Sequence, residues 1–283
     1  MLRFSKYSGA GNDFVIMNQD EAPVMDLGKL AERVCQRSTG VGVDGLAIVR
    51  KLATDRIEVR FFNPDGSEFS TCGNGTRCVA RWAADQGLSH RQLAIVTPAA
   101  EIQATVEDAE VSLDYRIDAR VARRVEIRSS SKAGTAWLVR IGVPHLVLPL
   151  ETMPEGPIEE LCRPLRHHPD LGADGANVNL VTLQSPSHGL IRTYERGIEA
   201  ETEACGSGAM ACTLALFGNG KAEPELALTA HSGEILRVTL LDEVEEKELQ
   251  TEEDGAGTGL ANIRLTGPAT HIFDGTLAPG LAD

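Results

Sequence analysis

At 283 residues and 42% hydrophobic content, the chain is long enough for one large domain or two ordinary ones with full cores. Its formal charge of −14 argues against nucleic-acid or anionic-membrane partners, which need a basic face. No apolar signal segment opens it and no uncharged stretch reaches bilayer length, so a cytoplasmic setting with reduced thiols is expected for its six cysteines.

In chain order, Asp26 can cap a helix whose Leu27, Leu30, Ala31 and Val34 fall on one face. Strands are expected at Leu46–Lys51 and Ile57–Phe62, followed by the turn Asn63-Pro-Asp-Gly66 and a helix from about Asn74 to Asp85 that stops at Gly87. Residues 93 to 117 alternate as antiparallel strands do, and Arg123–Arg128 carries the chain into a second half. There, strands at Trp137–Ile141 and His145–Leu148 precede a short helix near Ile158–Leu165. Strands Val178–Leu183 and Leu190–Tyr194 lead to a helix over Gly206–Phe217, ended by Gly218-Asn-Gly220. Further strands are expected at Glu225–Ala230, Glu234–Leu241 and Ile263–Leu265, and the acidic run Asp242–Asp254 reads as a solvated hairpin tip.

The order repeats because the sequence does. Cys72-Gly-Asn-Gly-Thr-Arg-Cys78 is echoed by Cys205-Gly-Ser-Gly-Ala-Met-Ala-Cys212, and Gly40-Val-Gly-Val-Asp-Gly45 by Leu171-Gly-Ala-Asp-Gly175. Arg60-Phe-Phe-Asn63 falls opposite Arg192-Thr-Tyr-Glu195, all at an offset of about 130 to 133 residues, which marks an internal duplication into two domains. The expected class is α+β: two similar, pseudo-symmetric domains, each a curled, mainly antiparallel sheet around a central helix, with the active site in the cleft between them. The expected boundaries are 1–118 with 267–283 for the domain carrying Cys72, and 119–266 for the one carrying Cys205.

Each motif sets a cysteine at the start of an apolar helical run. A helix N-terminus brings a thiol from its free pKa of about 8.5 to between about 3.5 and 7.5. Two such thiols close together resist double ionisation, leaving one thiolate and one thiol, a base and an acid. On opposite faces of a weakly acidic carbon they invert its configuration without a cofactor. Gly73, Asn74 and Gly75, with Gly206, Ser207 and Gly208, can offer backbone N–H groups to a substrate carboxylate.

Other chemistries fit less well. The cysteines of each motif are too far apart for a zinc knuckle, and no H-x3-H pair accompanies them, so no metal is expected. No C-x-x-C redox motif is present, and Gly9-Ala-Gly-Asn12 misses the dinucleotide fingerprint because Phe14 fills its last glycine place. Cys35, Cys162, Cys78 and Cys212 read as buried packing residues.

On these residues the chain resembles the diaminopimelate epimerases nearly end to end. The carriers are Gly9-Ala-Gly-Asn-Asp-Phe14, Phe62-Asn-Pro-Asp-Gly-Ser67 with Cys72-Gly-Asn-Gly75, Pro144-His145, Asn177-Val178, and Glu195-Arg-Gly197 with Ala204-Cys-Gly-Ser-Gly208. The resemblance implies a cofactor-independent epimerase of lysine and peptidoglycan precursor synthesis that interconverts LL- and meso-diaminopimelate, and a homodimer. It implies Cys72 and Cys205 as the acid–base pair, with His145 and Glu195 supporting proton transfer. It assigns Asn12, Asn63, Asn74, Asn177, Glu195 and Arg196 to substrate, the arginine to its distal carboxylate, and Gly73, Gly206 and Ser207 to the backbone cradle.

Three departures touch recognition: Val143 where many members carry asparagine, Gly45 where many carry glutamine, and Ile198-Glu-Ala-Glu201, where members often have a shorter linker. Two alternatives stay open. One is a related racemase of another amino acid such as histidine or proline, although proline racemases share the cysteine motifs without Gly-Asn-Asp-Phe or Glu-Arg-Gly. The other is a non-catalytic amino-acid-binding or redox-sensing protein.

Overall fold

The computed structural model describes residues 2–21, 26–118, 123–128, 133–241 and 260–282. The acidic run expected to form a hairpin tip lies outside them. The chain divides into two compact units, Met1–Asp114 with Thr266–Asp283, and Tyr115–Leu265.

The first stretch supplies β1 (Arg3–Gly9), β2 (Asn12–Asn18), α1 (Leu27–Val34), β3 (Gly45–Ala53), β4 (Arg56–Phe62), β5 (Glu68–Phe69), α2 (Gly73–Asp85), β6 (Gln92–Val96), β7 (Glu101–Glu107) and β8 (Glu110–Asp118). The second supplies β9 (Arg123–Arg128), β10 (Ala133–Ile141), β11 (Val143–Pro149), α3 (Glu159–Arg166), β12 (Asn177–Ser185), β13 (His188–Glu195), β14 (Ala200–Thr202), α4 (Gly206–Phe217), β15 (Glu225–Thr229), β16 (Ile235–Leu240) and β17 (Leu260–Pro268). The chain then returns to the first unit as β18 (Thr270–Thr276), antiparallel to β1.

Both units follow one pairing plan. In the first, β1–β2, β3–β4, β4–β5 and β6–β7 are antiparallel, while β2–β3 and β4–β6 are parallel. In the second, β10–β11, β12–β13, β13–β14 and β15–β16 are antiparallel, while β11–β12 and β13–β15 are parallel. A parallel pair needs a long crossover, and each of the four crossovers carries one α-helix among the described residues. The second crossover of each unit is the cysteine motif with its helix.

The class is α+β, built as two domains of curled sheet. In α4 every residue but Ser207 is buried, as befits a helix apolar on all sides, and it packs against β10, β11, β12, β15 and β16. In α2 the buried run Asn74–Ala80 with Trp82 and Ala83 packs against β1, β2, β3, β6, β7 and β18. The outer helices are amphipathic instead. α1 buries Leu30, Ala31 and Val34 in a core with Leu46, Ile48 and Phe62, and Asp26 caps it by accepting the Lys29 N–H at 3.2 Å. α3 buries Cys162 and Leu165 against Val178, Leu180 and Tyr194.

The two N-terminal strands form a hairpin around Ala10 and Gly11. Both residues have positive φ, 59° and 92°, as a tight two-residue turn with right-handed strand twist requires. Gly9 lets this hairpin sit on α2, since a Cβ there would lie 2.7 Å from the Asn74 carbonyl oxygen. That turn is the local reason the Gly9-Ala-Gly-Asn12 segment exists.

Candidate active site

In each unit the cysteine is the N-cap residue of the central helix, in extended conformation at φ −150° for Cys72 and −125° for Cys205. Glycine then occupies the first and third helical positions, so backbone N–H groups face outward around the sulfur. Cys72 is half-buried and its Sγ accepts the Gly75 N–H at 3.4 Å. Cys205 is only 7% exposed, with the Ser207 hydroxyl 3.5 Å from its sulfur.

Around Cys72 the expected residues gather in part. The thiol points at Asn12 Oδ1, 3.8 Å away, and the Asn12 amide donates to Asp44 at 2.9 Å. A carboxylate can only accept from that amide, so Asp44 fixes which end of Asn12 faces the sulfur. Asn74 is buried and accepts from Arg77 at 2.9 Å. Asn63 donates to Ser67 at 3.0 Å and its carbonyl takes the Gly66 N–H, so it holds the turn joining β4 to β5. Asp44 received no role from the sequence, although the G-V-G-V-D segment that carries it stood out as part of the repeat.

The second unit brings together Cys205, Glu195, Thr202 and Ser207. Glu195 ends β13, and Thr202, on the paired strand β14, donates to its carboxylate at 2.8 Å. The Cys205 thiol lies beside Glu195. Burial raises the Glu195 carboxyl above its ordinary range, and the Thr202 hydroxyl, then the Cys205 thiol, oppose the shift. Burial foremost, then the neighbouring Glu195 charge, pushes Cys205 well above a normal thiol, although Ser207 and the Gly208 N–H favour the thiolate. Cys205 is therefore a thiol at neutral pH in this arrangement.

His145 is wholly buried on β11, and its Nδ1 lies 3.2 Å from the Asn179 amide nitrogen. Burial takes its pKa down to about 4, and the Arg196 charge adds to that; the Ile141 carbonyl opposes it. His145 is thus neutral at physiological pH. Asn177 accepts the Arg196 backbone N–H at 2.8 Å, which fixes the start of the β13–β14 turn. Among the described residues, no side chain pairs with the Arg196 guanidinium. The Ile198–Glu201 departure builds the tip of that turn and leads into β14, which delivers Thr202 to Glu195. Thr202 and Asn179 are site residues the sequence reading missed.

The remaining cysteines are packing residues. Burial pushes Cys35, Cys78 and Cys162 up to about 12, and Cys212 higher still. Among the described residues, no cluster of His, Cys, Asp or Glu could hold a metal ion, and no helix is long and apolar enough to cross a membrane.

Residues 4–120 and 137–256 match the family described as diaminopimelate epimerase. The chain is 31% identical to the diaminopimelate epimerase of Hydrogenobaculum sp. (strain Y04AAS1), covering 98% of this chain and 99% of that one. It is also 31% identical to that of Aquifex aeolicus (strain VF5), covering 98% of each. In structure it resembles a phenazine biosynthesis protein of the PhzF family from Bacillus anthracis, with a TM-score of 0.68 over 98% of this chain and 99% of that one, at 15% identity. That last likeness concerns the fold; the sequence matches, which run nearly end to end, establish that this chain belongs to the diaminopimelate epimerase family.

Proposed function

We propose that the protein interconverts LL- and meso-diaminopimelate, without a cofactor, through a two-base mechanism using Cys72 and Cys205. The observation that carries this reading is the pair of cysteine N-caps, each on a glycine-flanked central helix, in two units of identical pairing plan. The family's name supplies the substrate.

One sulfur, as thiolate, takes the Cα proton; the other, as thiol, delivers its proton to the opposite face of the same carbon. The first sulfur ends as thiol and the second as thiolate, so protons balance over the turnover. Cys205 is suited to start as the thiol, because it is buried and the neighbouring Glu195 charge disfavours its thiolate. When Cys205 has given its proton to Cα, its thiolate stands beside Glu195, whose raised pKa favours taking a proton from solvent and releasing it again when Cys205 is reprotonated. The N–H groups of Gly73 and Asn74, with those of Gly206 and Ser207, are placed at helix N-termini where charge developing on the substrate carboxylate is stabilised. Asn12, Asn63 and Asn177 would hold polar substrate groups, and Arg196 the distal carboxylate, which a planar guanidinium grips through two hydrogen bonds.

A cytoplasmic homodimer completes the proposal. The exposed Ile272 and Phe273 on β18 offer apolar surface for self-association.

The test is to incubate reduced protein with LL-diaminopimelate in D2O. Deuterium at Cα together with meso product is the expected outcome. Deuterium incorporated into histidine or proline but not diaminopimelate would move the protein to another racemase, and no exchange with any of them would leave only a binding or redox role.

A further inference from the structure

Behind the α4 N-terminus lies a buried polar chain of which the family likeness assigned only His145. Thr193, Asn179 and His145 are wholly or almost wholly buried on β13, β12 and β11. The Thr193 hydroxyl lies 3.1 Å from Asn179 Oδ1, and Asn179 Nδ2 lies 3.2 Å from His145 Nδ1 and 3.5 Å from the Leu146 carbonyl oxygen.

Donor and acceptor roles in this chain follow from one group that has no choice. A backbone carbonyl only accepts, so the end of Asn179 facing Leu146 is the NH2. That NH2 has only hydrogens to offer to His145, so Nδ1 must be the bare, accepting nitrogen. A neutral imidazole with Nδ1 bare carries its proton on Nε2. At the far end Asn179 Oδ1 accepts from the Thr193 hydroxyl, while at the near end His145 Nε2 is buried with no hydrogen-bond partner in the protein.

The same asparagine touches the catalytic helix. A Cβ at Gly208 would lie 2.2 Å from Asn179 Oδ1 and 3.3 Å from Cys205 Sγ, so the amide rests directly beneath the turn that presents the sulfur. The register places all three side chains on one face: His145 opposes Asn177 in β11–β12, and Asn179 opposes Thr193 in β12–β13.

We infer that Asn179 is a positioning residue for the epimerisation: oriented by Thr193 and the Leu146 carbonyl, it holds His145 as the Nε2–H tautomer beneath the Cys205 helix. The histidine thereby presents a fixed N–H donor. This rests on the proposed epimerase reading for its catalytic consequence, but the tautomer itself does not.

The experiment reads both separately. Imidazole nitrogen NMR of the full chain, with His145 assigned by its loss in His145→Gln, should show Nε2 protonated and Nδ1 bare in the wild type. Asn179→Asp presents only acceptors and should move the proton to Nδ1, lowering kcat for diaminopimelate by about 10-fold or more with KM changed far less. Thr193→Val should loosen the tautomer and reduce kcat, and Thr193→Ser, which keeps the hydroxyl, should restore both. A wild-type Nδ1–H signal overturns the inference even if Asn179→Asp fails to fold. So does Thr193→Val or a folded Asn179→Asp with wild-type tautomer and kcat. Absence of Cα exchange in the wild type would sink the epimerase reading alone, leaving the nitrogen spectrum to decide the hydrogen-bond chain.

Discussion

The two cysteine caps share a backbone and differ in what lies beneath them. By strand register, Phe14 in the first unit takes the place of His145 in the second, Ala47 that of Asn179, Phe61 that of Thr193, and Asn63, just past β4, that of Glu195. Under Cys72 the floor is therefore an edge-to-face phenylalanine pair, Phe14 and Phe61, with ring centroids 6.0 Å apart. Under Cys205 it is a hydrogen-bonded polar chain with a carboxyl beside the sulfur. A duplicated scaffold gave both halves the same helix start, and divergence of a few inward-facing positions set one sulfur on an apolar floor and the other among proton-handling groups. Two-base chemistry needs this inequality, since at rest one sulfur should hold a proton and the other should not.

The largest break would come from removing either sulfur. Cys72→Ala and Cys205→Ala should each lower kcat by at least about 10³-fold while leaving the circular dichroism spectrum and cooperative unfolding intact. Full turnover in either variant would mean that the two caps are not partners.

The polar floor should also cost acid stability, which the apolar one cannot. His145 ionises at about 4 when folded and near 6.5 when unfolded. Between those values the unfolded chain binds the extra proton, so stability falls as pH drops from about 6.5 to 4, by at most about 3 kcal/mol. Glu195, raised in the fold, pulls the other way: its contribution is least at higher pH and recovers as it protonates. Comparing urea unfolding of wild type and His145→Gln across that range isolates the histidine, and parallel pH dependences in the two proteins would contradict its burial as a neutral group.

Glu195→Gln sharpens the same contrast by changing one sulfur and not the other. The carboxylate raises the Cys205 pKa, so its removal should shift alkylation of Cys205 toward lower pH while epimerisation falls by about 10²-fold. A more reactive sulfur with less turnover is the signature of lost proton handling. If both rates fell together, Glu195 would matter for packing alone.

Much of this was legible in the residues because glycine, cysteine and helix-start patterns act locally. Cys72 and Cys205 cap helices at the expected places, α4 spans the expected Gly206–Phe217, and α1 is capped by Asp26 as its spacing predicts. The pairing of Asn12 with Asp44 and of His145 with Asn179 was not legible, because each joins residues on neighbouring strands, and only sheet register brings them together. The parallel strands were missed for a related reason. Alternation reports which face is buried, not the direction of the neighbour. Asn63 shows the limit from the other side: its Asn-Pro-Asp-Gly context announced a turn, and a turn is what its side chain supports here.

The smallest effects should come from adding one methyl group to each cap, and their inequality tests the comparison most directly. At Gly75 a Cβ would meet Phe61 at 2.8 Å and Phe14 at 3.1 Å, rings that can tilt within an apolar core. At Gly208 it would meet Asn179 Oδ1 at 2.2 Å, an atom tied to Thr193 and, through the same amide, to His145. Moving that atom breaks a buried hydrogen-bond chain, whereas moving a ring only loosens packing. Gly208→Ala should therefore destabilise by about 2 to 3 kcal/mol and Gly75→Ala by about 1 to 2 kcal/mol, with Gly208→Ala alone disturbing the His145 nitrogen signals. Equal losses of stability, with those signals unmoved in both variants, would show that the polar floor is no stiffer than the aromatic one.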